Sequence, residues 1–304
     1  MAGHLRVAIV INPVAGVGGT LDLARRRAEL AMDLLVAAKA EPDILITEGA
    51  GHAADLARGA LDRGAHIVVA WGGDGTVNEV ASALVGTSAA LAVIPAGSGN
   101  GLARMLDMPS NAARAISRIL KGTDRAIDVG EIDGRVFVNV AGVGFDAHIA
   151  RAFAAIGRAR RGFLRYGAIV VRELRCYQSR TYTLALDPLP GDGGPARSHR
   201  AFLLTFANGR QWGNGAIIAP SARLDDGALD AVVVEDRGRG AVLLSIPRLF
   251  RGTIAGAPGV STSRIQSAIV TGDGPLAYHA DGEPFVGGQS LRVSVRPRAL
   301  RLRA

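Results

Sequence analysis

The stretch IVVAWGGDGT at residues 67–76 decides the fold. Five apolar residues run without polar alternation into Gly72-Gly73-Asp74-Gly75-Thr76. A strand apolar on both faces is one buried on both faces, as in parallel sheets covered by helices. The glycines end it and let backbone N–H groups come close to a ligand. The rhythm repeats outward from here. Residues 5–11 (LRVAIVI), 43–47 and 91–94 read as further strands, and residues 21–38, 52–63 and 76–84 carry apolar positions at helical spacing. This alternation predicts an α/β domain with a parallel sheet over residues 1–124. Beyond it, strand candidates crowd together at 127–132, 135–140, 180–186, 201–207, 229–235, 265–270 and 291–295, with glycine turns between most of them. They predict an antiparallel β-sandwich over residues 125–288, interrupted by helical stretches at 147–177 and 240–251. Residues 187–200 (DPLPGDGGPARSHR) read as a hairpin tip. Residues 289–304 are expected to return to the first domain, with a cleft between the two.

The 304 residues are 48% apolar and 20% charged, which excludes a disordered chain. Cys176 is the one cysteine, so neither a disulfide framework nor a four-thiolate zinc site can form. The six histidines make no HxxH or HExxH pair. No apolar run reaches the ~18–20 residues of a membrane span. The N-terminal run contains Arg6 and turns at Asn12-Pro13, unlike a signal peptide. A cytoplasmic protein is expected. The net charge is +8, and 33 of the 35 basic residues are arginine. That excess favours anionic partners: nucleotides, nucleic acid or an anionic membrane surface. No nucleic-acid module or aromatic stacking motif accompanies it, so nucleic acid is set aside.

Three glycine-rich turns follow three apolar strands: NPVAGVGG at 12–19, GGDGT at 72–76 and AGSGNG at 96–101. Ligands of open parallel sheets bind beyond the carboxyl ends of the strands, so the three turns are expected to converge on a phosphate group. No G-x-x-x-x-G-K-[ST] is present, which excludes a Walker-type loop. A dinucleotide fingerprint fits poorly, because Asn12-Pro13 stands where its first glycine belongs.

The order Asn12-Pro13-x-x-Gly16, Gly72-Gly73-Asp74-Gly75-Thr76-x-Asn78-Glu79, Pro95-x-Gly97-Ser98-Gly99-Asn100 and Asp281-Gly282-Glu283 resembles the diacylglycerol kinase catalytic-domain family, which includes bacterial lipid kinases and the sphingosine and ceramide kinases. The resemblance implies an NAD-kinase-like nucleotide-binding fold and an ATP- and Mg²⁺-dependent kinase acting on the hydroxyl of a lipid such as diacylglycerol. It implies an ATP site lined by Asn12, Pro13, Val14, Ala15, Gly16, Thr47, Gly73, Asp74, Gly75, Thr76, Val77, Asn78, Glu79 and Ser98. It gives Glu283 the part of catalytic base; the chemistry of ATP, which must travel with Mg²⁺, makes Asp74 the best-placed carboxylate for the metal, and Asp74 is also the alternative base. It also implies a structural Mg²⁺ held by the Asp226 side chain and the carbonyls of Arg223 and Ala228. An Asp-Gly turn is the plain alternative for that loop. Ala15 stands where the family commonly has Ser, and Gly101 where many bacterial members have Asp, so a sphingosine- or ceramide-type acceptor stays open. NAD kinases share the GGDG loop, but Asn78-Glu79 and the late Asp-Gly-Glu favour the lipid branch. A non-catalytic nucleotide sensor would keep the glycine turns and lose the acids; Asp74 and Glu283 are both present. Asp146, after a strand, is a weaker candidate for the acceptor side, with a structural turn as the equal alternative.

Residues 147–177 interleave Phe153, Ile156, Phe163, Leu164 and Tyr166 with Arg158, Arg160, Arg161, Arg165 and Arg172. A basic amphipathic stretch reads as a membrane-surface element or as a core-facing helix with a solvated arginine face. With it comes the expectation of peripheral association with the inner membrane face; a homodimer stays open.

Overall fold

The structure is a computed structural model and describes residues 5–16, 19–155, 163–188 and 197–304. It divides into two units, Met1–Ile127 with Arg298–Ala304, and Asp128–Pro297.

In the first unit, β1 (Arg6–Ile11), β2 (Glu41–Ile46), β3 (Ile67–Gly72) and β4 (Ala90–Pro95) alternate with α1 (Leu21–Ala37), α2 (His52–Asp62) and α3 (Asp74–Leu84), followed by α4 (Gly101–Met105) and α5 (Ala112–Lys121). β1 pairs with β2 and β3, and β3 with β4, all in parallel. Every side chain of Val7 to Ile11 and of Ile67 to Trp71 is buried, as runs apolar on both faces require. Helix starts follow local chemistry. The Thr20 hydroxyl accepts the Leu23 N–H at 3.2 Å to open α1, and Asn111 Oδ1 accepts the Arg114 N–H at 3.0 Å to open α5. α3 begins two residues before its expected start at Thr76, so Asp74 lies in its first turn. A carboxylate there meets the positive end of the helix.

The second unit carries β5 (Asp124–Ile132, entering from the first unit), β6 (Arg135–Phe137), β7 (Val140–Gly144), β8 (Arg180–Pro188), β9 (Arg197–Ala207), β10 (Gln211–Gly213), β11 (Ala216–Ile217), β12 (Leu229–Glu235), β13 (Val260–Thr271), β14 (Ala277–Ala280), β15 (Glu283–Val286) and β16 (Ser290–Arg303). Its helices are α6 (Phe145–Ala155), α7 (Phe163–Cys176) and α8 (Arg239–Arg251). Two long strands change partners part-way. β9 pairs with β8 through its first residues and with β7 and β12 through its last. β13 pairs first with β12, then with β8 and β16. Strands that pass from one sheet to the next make the corners of a sandwich. Phe137, Phe206, Ile265, Leu291 and Val293 are among the residues of the core between the layers. β8 and β9 pair antiparallel on either side of the expected hairpin tip, of which residues 189–196 lie outside the described residues.

Two sequence expectations are corrected. The strand expected at 135–140 is split into β6 and β7, because Val138 and Asn139 give their N–H groups to the Asp281 carboxylate rather than to a neighbouring strand. The strand expected at 291–295 runs on to Arg303; its last residues enter the first unit, where Arg301 and Leu302 pair in parallel with Ala90 and Leu91 of β4. Of the basic stretch at 147–177, residues 156–162, with Ile156, Arg158, Arg160 and Arg161, lie outside the described residues, as do the side chains of Phe163, Leu164, Arg165 and Tyr166.

Candidate functional site

The ends of β1, β3 and β4 carry the three glycine turns, and backbone bonds tie them together. The Asn12 N–H reaches the Trp71 carbonyl at 3.0 Å, and the Ala96 N–H reaches the Gly72 carbonyl at 2.9 Å. Asn12 Nδ2 donates to Thr76 Oγ1 at 2.9 Å, while its Oδ1 accepts the Val14 N–H at 3.1 Å. The turns approach glycine against glycine: a Cβ on Gly97 would lie 2.6 Å from Gly73 Cα, and one on Gly16 would lie 2.5 Å from the Ala96 carbonyl oxygen. No side chain fits at either place. The Asp74 carboxylate, from the first turn of α3, accepts the N–H groups of Asn100 at 2.9 Å and Gly101 at 2.7 Å. Asn100 closes the loop on itself, accepting the Gly97 N–H at 2.9 Å and donating to the Gly97 carbonyl at 2.7 Å. Ser98 stands exposed at the tip of that loop.

Most of the expected nucleotide residues therefore share one cluster: Asn12 to Gly16, Gly73 to Thr76, and Ser98. Thr47 is buried at the neighbouring strand end, its N–H on the Ile11 carbonyl at 2.9 Å. Val77 is buried in the packing of α3. Glu79 is turned to a different task. Its two oxygens accept the N–H groups of Gly51 at 2.9 Å and Ala53 at 3.0 Å. They cap α2, whose own N-cap residue is a glycine without a side chain to do it.

In the second unit, Asp281-Gly282 forms the two-residue turn of the β14–β15 hairpin, with Ala280 paired to Glu283. Both turn residues have positive φ, 47° and 86°, the geometry for which Asp-Gly is the preferred pair. The Asp281 carboxylate accepts three backbone N–H groups, of Val138 at 2.7 Å, Asn139 at 2.9 Å and Val140 at 3.0 Å. Glu283, next along the chain, is exposed and bonds no other side chain among the described residues. His279 was passed over in the sequence for want of a paired histidine, and the structure gives it work. Its Nδ1 accepts the Gly282 N–H at 3.2 Å. Nε2 then carries the proton and faces Asp146 Oδ2 at 3.4 Å. Asp146 also accepts Thr205 Oγ1–H at 3.0 Å. A buried Asp146–His279 pair thus braces the turn that carries Glu283. The signal in the sequence was His279 itself, two residues before Asp-Gly-Glu, an ionisable side chain in an apolar strand.

Residues 6–132 match the diacylglycerol kinase catalytic domain, and residues 139–304 match the YegS C-terminal NAD kinase beta sandwich-like domain. A diacylglycerol kinase of Mycobacterium tuberculosis is 30% identical over 318 residues, 99% of this chain and 97% of that one. This chain belongs to the diacylglycerol kinase family. A probable lipid kinase YegS-like protein of Pseudomonas aeruginosa is 32% identical over 272 residues, 85% of this chain and 83% of that protein. The crystal structure of a diacylglycerol kinase from Bacillus anthracis shares the fold, with a TM-score of 0.73 at 21% identity over 99% of this chain and 97% of that one.

In this member of the kinase family, the loop from Arg223 to Ala228 is the one expected to be either a cation site or a plain Asp-Gly turn. Asp226 Oδ2 pairs with the Arg264 guanidinium at 2.5 Å, and its Oδ1 accepts the Ala228 N–H at 3.3 Å. Asp128, fully buried, accepts the Gly227 N–H at 2.7 Å and holds the loop from below. Asp230 is buried, and its Oδ1 has no hydrogen-bond partner. Burial first, and the charge of Asp226 after it, push the Asp230 carboxyl above its usual range, while the Ser221 hydroxyl and Arg264 pull it back. Both Asp226 oxygens thus hold partners within the chain, and Asp230 Oδ1 is the buried acceptor of the loop that is open to a hard cation. Among the described residues no three His, Cys, Asp or Glu side chains form a metal cage, so carbonyl and water oxygens would complete the set.

Proposed function

We propose that this protein is an ATP- and Mg²⁺-dependent lipid kinase that phosphorylates the hydroxyl of diacylglycerol at a membrane surface. The carrying observation is the glycine-on-glycine junction at the ends of β1, β3 and β4, with Asp74 built into it. Half-buried glycine backbone there, next to the N-terminus of α3, suits the phosphates of ATP. The likeness to a diacylglycerol kinase and to a probable lipid kinase supports a lipid acceptor.

Phosphoryl transfer asks the protein mainly for positioning and charge stabilisation. The glycine turns hold the phosphate chain through backbone N–H groups. Glu283 orients the acceptor hydroxyl and takes its proton as the oxygen bonds to the γ-phosphorus and the bond to the β–γ bridging oxygen breaks, leaving ADP. The exposure of Glu283 and the rigid turn that carries it support this assignment. Mg²⁺ bound with ATP neutralises phosphate charge, and Asp74 is the carboxylate that would hold it. Asp226 and Asp230, with the carbonyls of Arg223 and Ala228, would hold a second, structural ion.

The test is transfer of radiolabelled phosphate from ATP to mixed micelles of diacylglycerol, sphingosine, ceramide or phosphatidylglycerol, with and without Mg²⁺. Labelled phosphatidic acid, formed only with the divalent ion, is the expected product. Label in sphingosine or ceramide alone would move the protein to the other branch.

A further inference from the structure

Helix α8 has no fully buried residue. At 100° per residue, its exposed positions 239, 240, 243, 244, 247, 250 and 251 form one continuous arc of about 140°. An ordinary surface helix fills that arc with polar side chains. Here it holds Leu243, Leu244 and Phe250, which are 50%, 80% and 50% exposed, with Arg239 and Arg251 on the same arc at the two ends of the helix. The opposite face is the one that packs: Val242 lies against the Phe145 and Phe202 cluster, and Leu249 against that of Val140 and Ile218. The helix contains no acidic residue, and neither Arg239 nor Arg251 has an acidic partner among the described residues. A cavity of about 280 Å³ adjoins the start of α8, sharing Arg239 and Val242 with Leu174, Phe202 and Arg200. Its lining is mixed, with Gln178, Ser179 and Asp236 beside the apolar side chains, so the apolar strip is confined to the outer arc.

We infer that the outer arc of α8 is the surface by which this protein docks on a bilayer of anionic phospholipid. The chemistry is that of an interfacial helix: an apolar strip enters the headgroup boundary and flanking arginines meet the lipid phosphates. No helix among the described residues is long and apolar enough to cross a membrane, so α8 lies along the surface. A second copy of the chain is the poorer occupant. Two such arcs face to face set arginine against arginine with no acid between them. The inference deepens the lipid-kinase reading and rests on it for its purpose, but it is a separate physical claim, because the basic stretch at 147–177 plays no part in it.

The experiment is co-sedimentation of the full chain with vesicles of phosphatidylcholine alone, or of phosphatidylcholine and phosphatidylglycerol in equal parts, at low and high salt. Wild type is expected to bind the anionic vesicles, less so as salt rises. Leu244→Asp is expected to weaken that binding about tenfold or more, through lost apolar insertion and an added negative charge. The pair Arg239→Glu and Arg251→Glu is expected to abolish the preference for anionic lipid. Melting temperature and phosphorylation of a soluble short-chain diacylglycerol should be unchanged in all of these variants. Equal vesicle binding by wild type and variants overturns the inference, as does a wild type that ignores anionic vesicles. A dimer in light scattering that the same substitutions dissociate, with vesicle binding unmoved, also overturns it in favour of a second copy. Loss of docking in a protein that phosphorylates no lipid alcohol would leave the docking surface standing and sink the kinase reading; the reverse pattern would do the opposite.

Discussion

The glycine turns of the first unit and the Asp-Gly-Glu hairpin of the second treat their acids in different ways. In the first, every motif carboxylate is bonded to backbone: Asp74 to Asn100 and Gly101, Glu79 to Gly51 and Ala53. In the second, the two acids divide the labour. Asp281 takes three backbone N–H groups, and Glu283, two residues on, faces solvent. Backbone donors on both oxygens fix where the Asp74 carboxylate stands toward a metal, whereas Glu283, on a braced turn and bonded to no side chain among the described residues, can turn to a substrate. A motif acid's chemistry is therefore decided by where its oxygens go, not by its place in the motif.

The strongest way to break this contrast is Glu283→Gln. The amide can orient a hydroxyl but cannot accept its proton, so turnover should fall about 10³-fold while ATP binding and melting temperature stay at wild type. Turnover within tenfold of wild type would return the base to Asp74. Asp281→Ala should do the converse. Three N–H groups lose their acceptor, costing about 3 kcal/mol, seen as a lower urea midpoint, with Asp281→Asn recovering part of it. Asp74→Asn lies between the two. One of the N–H groups of Asn100 and Gly101 then faces an amide donor, at about 2 kcal/mol, and activity should drop together with stability. Lost activity at unchanged stability would mean that Asp74 serves metal and phosphate alone. Glu79→Gln removes half of the α2 cap and should cost about 1 kcal/mol with kinase activity near wild type.

The smallest effect expected is at Glu173, whose carboxylate is bonded to side chains instead of backbone. His148 Nε2 donates to it at 2.7 Å and Arg172 lies beside it, and these hold its pKa below the usual range, the His148 bond first. A depressed pKa in the folded state means the unfolded chain binds the proton more tightly. The contribution is then present above the unfolded value of about 4.3 and is lost as pH falls through the folded one. Glu173→Gln should lower stability by about 0.5 kcal/mol at pH 7 and by nothing measurable in strong acid. A deficit that persists in acid would assign Glu173 to packing.

The strands of the first unit were legible because their signal is local. Runs such as VAIVI and IVVAW are buried on both faces, and periodicity reads that directly. The same holds for β16, where Leu291 and Val293 are buried and Arg292 is exposed. The hairpin of β14 and β15 was marked by Asp-Gly, yet its strands were not separately expected, since four-residue strands carry too few alternations to read. The split between β6 and β7 was invisible for another reason: the carboxylate that takes the N–H groups of Val138 and Asn139 lies more than 140 residues away. The α2 cap was missed in the same way, because Glu79 lies 28 residues from the Gly51 N–H it accepts.

The sequence by itself determined the two kinds of sheet, the order of the glycine turns and the set of acids able to carry phosphoryl transfer, since each is written in neighbouring residues. Only the tertiary structure decided which acids build loops and which face outward, that His279 braces the Asp-Gly turn, and that α8 turns leucines and a phenylalanine to the outside. Those outcomes depend on donors and apolar surfaces brought together from distant parts of the chain, and no local pattern encodes which of them will meet.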